Sequence, residues 1–196
     1  MLRIVGDEAA KSNVPSFSYA RPKGLLGTLI IPLTRWLRAI NAERYMKPAR
    51  RHLDIGCGDG YFLRRSKCKE RFGLDRLWGD EVKDKLNFSD NYFDYVTLLA
   101  VIEHIGSPQK LISEIARVLK PNGILIITTP LKTAEGLMKM YAKEIETNHV
   151  FYCDLPKMED LVKQDFVIQD YHRFLFGFNQ IFYMIKLSRD KMGSAT

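Results

Sequence analysis

The stretch Leu53-Asp54-Ile55-Gly56-Cys57-Gly58-Asp59-Gly60 decides the fold of this chain. Its first three residues close a short apolar run that begins at His52, and three glycines at alternate positions follow at once. A glycine-rich turn after a buried strand lets backbone approach a ligand where a Cβ would clash. The helix that follows presents unpaired N–H groups at its start. Alone, Gly-x-Gly-x-Gly carries little information, because ordinary turns and dinucleotide sites use glycines at the same junction. Two acidic residues sharpen it. Asp54 stands two residues before Gly56, where a carboxylate orients the loop and attracts a cationic ligand end; a pyrophosphate there would be repelled. Asp75 closes the next apolar run, Arg71-Phe72-Gly73-Leu74-Asp75. That is about the twenty residues downstream at which an acidic side chain accepts both ribose hydroxyls of a nucleoside.

Working outward, His52 to Ile55, Arg71 to Leu74, Tyr95 to Leu99 and Ile124 to Thr129 read as strands alternating with helical segments. That alternation predicts a parallel sheet with helices on both faces. Ser107 as N-cap, Pro108 at the first helical position and the stripe Leu111, Ile112, Ile115, Ala116 and Leu119 predict a helix before the turn Pro121-Asn122-Gly123. Met158 to Lys163 reads as a short helix, and Phe166 to Tyr171 and Ile181 to Leu187 as further strands. Before the glycine loop, Leu25 to Lys47 is helical in pattern, with Leu26, Ile30, Leu33, Trp36, Leu37 and Ile40 at three- and four-residue steps. Pro32 kinks or divides it, and Arg35, Arg38, Arg44 and Lys47 give it a basic side. Met1 to Lys23 shows no period and is expected to be irregular. The chain thus divides into an extension with helices that cap the active site, 1–48, and an α/β domain, 49–196.

With 196 residues and 46% hydrophobic composition, one domain buries a core without disulfides or a structural metal. The three cysteines, Cys57, Cys68 and Cys153, form no Cys-x-x-Cys or Cys/His cluster, which points to a reducing cytosol. No secretory signal is read at the start, and the longest apolar run, Gly24 to Leu33, is too short to span a bilayer. A formal charge of +7 suits either an anionic partner or an enzyme with a basic surface. Leu25 to Lys47 offers either peripheral contact with an anionic membrane, which suits a lipid-linked acceptor, or ordinary packing on the domain. No zinc ribbon, aromatic RNP-like motif or Asn/Asp-Pro-Pro-Tyr tetrad is present, so nucleic acid is not expected as substrate.

Taken together, His52 to Gly60, Gly73-Leu74-Asp75 and Leu86 to Val96 resemble the successive motifs of class I S-adenosylmethionine-dependent methyltransferases of the ubiquinone-biosynthesis-like group, methyltransferase type 11. Phe88-Ser89-Asp90-Asn91-Tyr92-Phe93-Asp94 is similar to that family's Pro-Phe-x-Asp-x-Ser-Phe-Asp segment. Ile102-Glu103-His104 and Val118 to Gly123 match its later landmarks. The resemblance covers roughly residues 50 to 187. It implies a Rossmann-like three-layer sandwich on a seven-stranded, mostly parallel sheet of order 3-2-1-4-5-7-6 with the last strand antiparallel. It also implies S-adenosylmethionine held by Asp54, Gly56, Cys57, Gly58, Gly60 and Asp75, with Leu99 and Ala100 beside the methionine portion. Asp84 is expected at the adenine amino group, with Glu81 the alternative. Asn87 stands where the family has proline, which loosens that turn.

Methyl transfer from a sulfonium is an in-line displacement already activated by the cofactor's charge, so no universal catalytic side chain is expected. For a hydroxyl acceptor, His104, His149, Tyr152 and His172 are the candidate bases by residue type. Some related O-methyltransferases bind magnesium at Glu-x-x-Glu-His. Here Ala100-Val101-Ile102-Glu103-His104 lacks one carboxylate, and adding His149 still leaves too few oxygen ligands, so no metal is expected. The acceptor is expected to be a small molecule or lipid-linked, in a pocket framed by the N-terminal helices, the loop after Thr128-Thr129-Pro130, and Asn148 to Tyr152. Two other readings compete. One is a non-catalytic module that keeps the cofactor site. The other is a dinucleotide-dependent oxidoreductase, which would want Gly-x-Gly-x-x-Gly.

Overall fold

A computed structural model describes residues 1–5, 24–75, 85–134, 136 and 151–188. Seven strands form one sheet: β1 (Leu2–Val5), β2 (Ala49–Ile55), β3 (Cys68–Leu74), β4 (Phe93–Leu99), β5 (Leu119–Pro130), β6 (Phe166–Phe174) and β7 (Asn179–Lys186), in spatial order β1-β3-β2-β4-β5-β7-β6. Helices among the described residues include α1 (Gly24–Glu43), α2 (Tyr61–Arg65), α3 (Pro108–Val118) and α4 (Leu155–Val162), with a 3₁₀ turn at Ile102–His104. Strands β3, β2, β4 and β5 are mutually parallel, and β7 runs antiparallel between β5 and β6. The seven-position order is the expected 3-2-1-4-5-7-6, with β2, β3, β4, β5, β6 and β7 in places 1, 2, 4, 5, 6 and 7 and β1 in place 3.

The outermost position beside β3 is filled from the N-terminus. Residues 2–5, expected to be irregular, pair antiparallel with β3 from Leu2↔Gly73 to Val5↔Glu70. Four residues are too few to display a period, and the unpaired edge of β3 supplies the hydrogen bonds that order them.

Side chains alternate across the sheet as the pleat requires. Leu53, Val96, Leu98, Leu125 and Ile127 meet α3 and α4 in the larger core, while Tyr95, Ile126 and Ile181 meet Ala39, Ala42 and Phe62 on the other face. Helix α3 buries Leu111, Ile112, Ile115 and Ala116 as expected, although the Ser107 hydroxyl makes no capping bond; Leu119 opens β5 instead. In α4, Asp154 is the cap, accepting from the Lys157 N–H at 3.3 Å. Pro121-Asn122-Gly123 lies within β5 as a bulge: Phe93 pairs with Leu119, and the next β4 partner, Tyr95, meets Ile124. Asn122 takes the left-handed turn at φ 58°.

Helix α1 is continuous through Pro32. Its buried residues are Gly27, Thr34, Ala39, Asn41 and Ala42. The stripe read from the sequence is not its packing face, since Leu26, Leu33 and Trp36 are exposed. Among the described residues, no helix is long and apolar enough to cross a membrane.

Candidate functional site

Parallel strands end together, so β2, β3 and β4 deliver Asp54, Asp75 and Ala100 to one rim of the sheet. Between β2 and α2 the chain turns through Gly56, Gly58 and Gly60 at φ 76°, 53° and 78°, a region that costs any residue with a Cβ. The N–H groups of Gly56 and Cys57 both reach the Leu74 carbonyl, at 2.7 and 3.2 Å. A Cβ on Gly56 would strike Val101, and one on Gly73 would lie 2.5 Å from the Cys57 sulfur. A Cβ on Gly58 would meet nothing within 4 Å, so the loop keeps an open side.

Both acidic positions are buried beside this loop, Asp54 at 3% exposure and Asp75 at 4%. The Gly58 N–H donates to Asp75 Oδ2 at 2.8 Å, which ties the end of β3 to the centre of the turn. The Thr97 hydroxyl of β4 donates to Asp54 Oδ1 at 2.6 Å. While Asp54 is ionised, that donation leaves the Thr97 oxygen to accept from His52 Nε2–H at 2.8 Å, and Ser66 Oγ–H donates to His52 Nδ1 at 3.0 Å. Burial pushes His52 down to about 3, with Arg71 adding to the shift, so the imidazole is neutral. Burial also pushes the Asp54 carboxyl up to about 7, partly opposed by the Thr97 hydrogen bond.

Asp59, the acidic residue inside the loop, is held differently. It is 3% exposed, accepts the Tyr61 N–H at 3.0 Å and pairs with the Arg35 guanidinium of α1, while Arg64 donates to its carbonyl at 2.7 Å. Arg35 also lies over the Tyr61 ring, 4.3 Å from its centroid. The charge of Asp59 therefore clamps α1 to the loop.

At the end of β4, Ala100 is left-handed (φ 60°) and its N–H reaches the Thr128 carbonyl at 2.8 Å. The 3₁₀ turn then buries Glu103 at 1% exposure and leaves His104 exposed. Glu103 Oε2 has no hydrogen-bond partner among the described residues, and burial raises its carboxyl to about 7, opposed by Arg38 and Thr129. The Phe151 N–H donates to the Glu103 carbonyl at 3.2 Å, and Gln180 of β7 donates to the Cys153 carbonyl. The turn after β4, the segment before α4 and the start of β7 therefore meet. Tyr152 is half-buried there, next in sequence to Phe151.

His172 lies elsewhere. It binds Asn41 Oδ1 at 3.0 Å and the Tyr45 hydroxyl at 3.2 Å, which joins β6 to α1. Asp84, Glu81, His149 and the expected loop segment beginning at Asn148 lie outside the described residues. Among the described residues no three His, Cys, Asp or Glu side chains gather as a metal would need. A cavity of about 530 Å³ opens at Lys85 to Ser89 and Arg117, sharing no residue with the glycine loop. The sequence assigns no site role to Thr97, His52 or Arg35; Thr97 and His52 leave one signal, a polar residue inside an otherwise apolar strand run, and Arg35, on α1, leaves none.

Two buried carboxylates beside a left-handed glycine loop suit a nucleoside that carries positive charge. A methyltransferase-domain family model matches residues 30–165. The chain belongs to the class I S-adenosylmethionine-dependent methyltransferases. This methyltransferase is 28% identical over 105 residues to the ubiquinone biosynthesis O-methyltransferase of Rickettsia akari, covering 43% of this chain and 41% of that protein. It is 32% identical over 93 residues to the ubiquinone/menaquinone biosynthesis C-methyltransferase UbiE of Vibrio cholerae, 47% of this chain and 32% of that one. The chain spans less than half the length of these curated relatives. In fold it is similar to a SAM-dependent methyltransferase from Aquifex aeolicus, with a TM-score of 0.57 at 16% identity, covering 81% of this chain and 97% of that one.

Proposed function

We propose that this methyltransferase moves the methyl group of S-adenosylmethionine onto a nucleophilic atom of a small-molecule or lipid-linked acceptor, by in-line displacement. The observation that carries the reading is the pair Asp54 and Asp75, buried on either side of the left-handed turn at Gly58. When bound, S-adenosylmethionine supplies a methyl group activated by a sulfonium charge.

The chain's own residues bind and orient. Asp54, ionised, attracts the amino-acid end, and Asp75 accepts the ribose hydroxyls from its place beside Gly58. Gly56, Cys57, Gly58 and Gly60 bring backbone close, Leu99 and Ala100 line the methionine portion, and Asp84 meets the adenine. Alignment and exclusion of water supply the rate. When the acceptor is a hydroxyl, its proton passes to Glu103, with His104, Tyr152 and His149 as the other candidate bases by residue type. The three cysteines are buried thiols, which suits a reducing cytosol.

Calorimetry with S-adenosylhomocysteine tests the reading. Binding by the wild-type chain is expected, and Asp75→Asn is expected to weaken it at least about tenfold, since a charge-assisted pair of hydroxyl bonds becomes a neutral one. No heat of binding to folded wild-type protein would sink the proposal. Protection by NADH in a thermal-shift competition, with none by S-adenosylhomocysteine, would move the site to the dinucleotide class.

A further inference from the structure

Helix α1 is built inside out. The residues it buries are small or polar, Gly27, Thr34, Ala39, Asn41 and Ala42. Its bulky apolar residues Leu25, Leu26, Leu29, Leu33 and Trp36 are 79, 50, 65, 45 and 45% exposed. At 100° per residue these five fall within about a third of the helix circumference, so they form one continuous stripe. Ordinary packing on a domain would turn such a stripe inward.

Contacts along α1 fix where the stripe lies. The helix and the residues just after it follow β6 and β7 toward their connecting turn. Tyr45 touches Asp170 and stacks on Tyr183, Asn41 meets His172, and Arg38 Nε donates to Asn179 Oδ1 at 3.1 Å. Asn179 pairs with Pro130, at the carboxyl end of β5, so that turn sits at the rim that carries the glycine loop. From Arg38 back to Gly24 the helix runs a further ~20 Å in the same direction. Its first turns therefore overhang the rim.

The turn itself presents a second apolar group. Leu175 and Phe176 are both left-handed (φ 52° and 54°), and Phe176 is 96% exposed. Two successive side chains held in this disfavoured region point an aromatic ring outward at a backbone cost.

Charge selects the occupant. Between Glu8 and Glu43 the sequence carries no acidic residue and five basic ones, Lys11, Arg21, Lys23, Arg35 and Arg38, with Arg44 and Lys47 exposed beyond the helix. A stripe of leucines and a tryptophan in a segment whose sequence charge is wholly basic matches the acyl boundary and headgroups of an anionic bilayer. We propose that the first turns of α1 and the Phe176 tip form a docking surface for an anionic lipid bilayer. Arg35, clamped to Asp59, couples that surface directly to the glycine loop. The surface stands on this geometry and charge; that it delivers a lipid-linked acceptor to the loop rests on the methyl-transfer reading.

The test is sedimentation of the full chain with phosphatidylcholine vesicles made with and without phosphatidylglycerol. Binding is expected only to the anionic vesicles and is expected to fall as salt is raised. In a Trp78→Phe background, Trp36 emission is expected to shift to the blue on binding. Leu29→Gln/Leu33→Gln is expected to lose at least about tenfold in partitioning while keeping its melting temperature and its affinity for S-adenosylhomocysteine. Phe176→Ser is expected to lose a smaller share. Absence of binding to anionic vesicles overturns the proposal. So does a concentration-dependent dimer that the double variant abolishes without any vesicle binding, because the stripe would then be covered by a second copy. Vesicle binding by a chain that takes up no S-adenosylhomocysteine supports the surface and counts against the proposed activity alone.

Discussion

Glu103 combines a carboxyl removed from water with one oxygen that has no hydrogen-bond partner among the described residues. Its carboxyl, raised to about 7 by burial, favours the protonated form in the folded chain relative to the unfolded one. Its contribution to stability is therefore fully present below the unfolded value near 4.5 and is lost as pH rises through about 7. Glu103→Gln keeps the shape and removes the titration. The variant is expected to gain on wild type as pH rises, levelling above pH 8 at on the order of 2–3 kcal/mol relative to their difference at pH 4, read by urea unfolding. Comparing the two chains cancels Asp54, which titrates in the same sense, and His52, whose depressed value destabilises in acid. The same substitution is expected to slow transfer to a hydroxyl acceptor, so stability and rate move in opposite directions. Asp54 and Asp75 were legible in the sequence because each closes a strand and the spacing to the glycines is visible along the chain. The Thr97–His52 relay was not, because it forms across strands that are 45 residues apart in sequence.

The segment leading into β4 shows how an element compensates for a missing residue. Asn87 stands where the family has proline, which loosens the turn by itself. Arg117 of α3 reaches across and braces it: Nη2 donates to the Leu86 carbonyl and Nη1 to the Phe88 carbonyl, each at 2.8 Å, and Nη1 reaches Asp90 at 2.6 Å. Glu114 holds the guanidinium from the other side and accepts the Leu86 N–H at 2.9 Å. Arg117→Ala is expected to cost about 2 kcal/mol in chemical denaturation, because two backbone carbonyls and a carboxylate lose a charged donor. Arg117→Lys is expected to recover less than half of that, since a point charge cannot reproduce the fork. Asp94, in the most specific motif of the sequence, serves the same framework: it accepts the N–H groups of Arg50 and Arg51 at 3.1 and 2.7 Å and the Lys120 ammonium at 2.5 Å.

Across the whole molecule, the sheet is completed from both ends of the chain, by β1 on one edge and by the β6–β7 hairpin on the other. Leu2 packs against Cys57 and Leu63, and a Cβ on Gly60 would lie 2.6 Å from its Cδ2, so β1 also supports the glycine loop from behind. Removal of residues 1–5 is expected to lower the melting temperature. It is also expected to produce concentration-dependent association in light scattering, because β3 would then present an unpaired edge. An unchanged, monomeric melt would show that β1 contributes nothing to stability. The amino-acid sequence by itself determined the αβ alternation, the α3 stripe, the glycine loop and its two carboxylates, because those signals are local periods and spacings along the chain. Tertiary structure alone decided which strand fills the outer edge, that α1 turns Leu25, Leu26, Leu29 and Leu33 away from the domain, and that Arg35, His52 and Thr97 join the site. Those outcomes depend on which groups meet after the sheet has closed, and burial and charge pairing across long separations leave no period in the sequence to read.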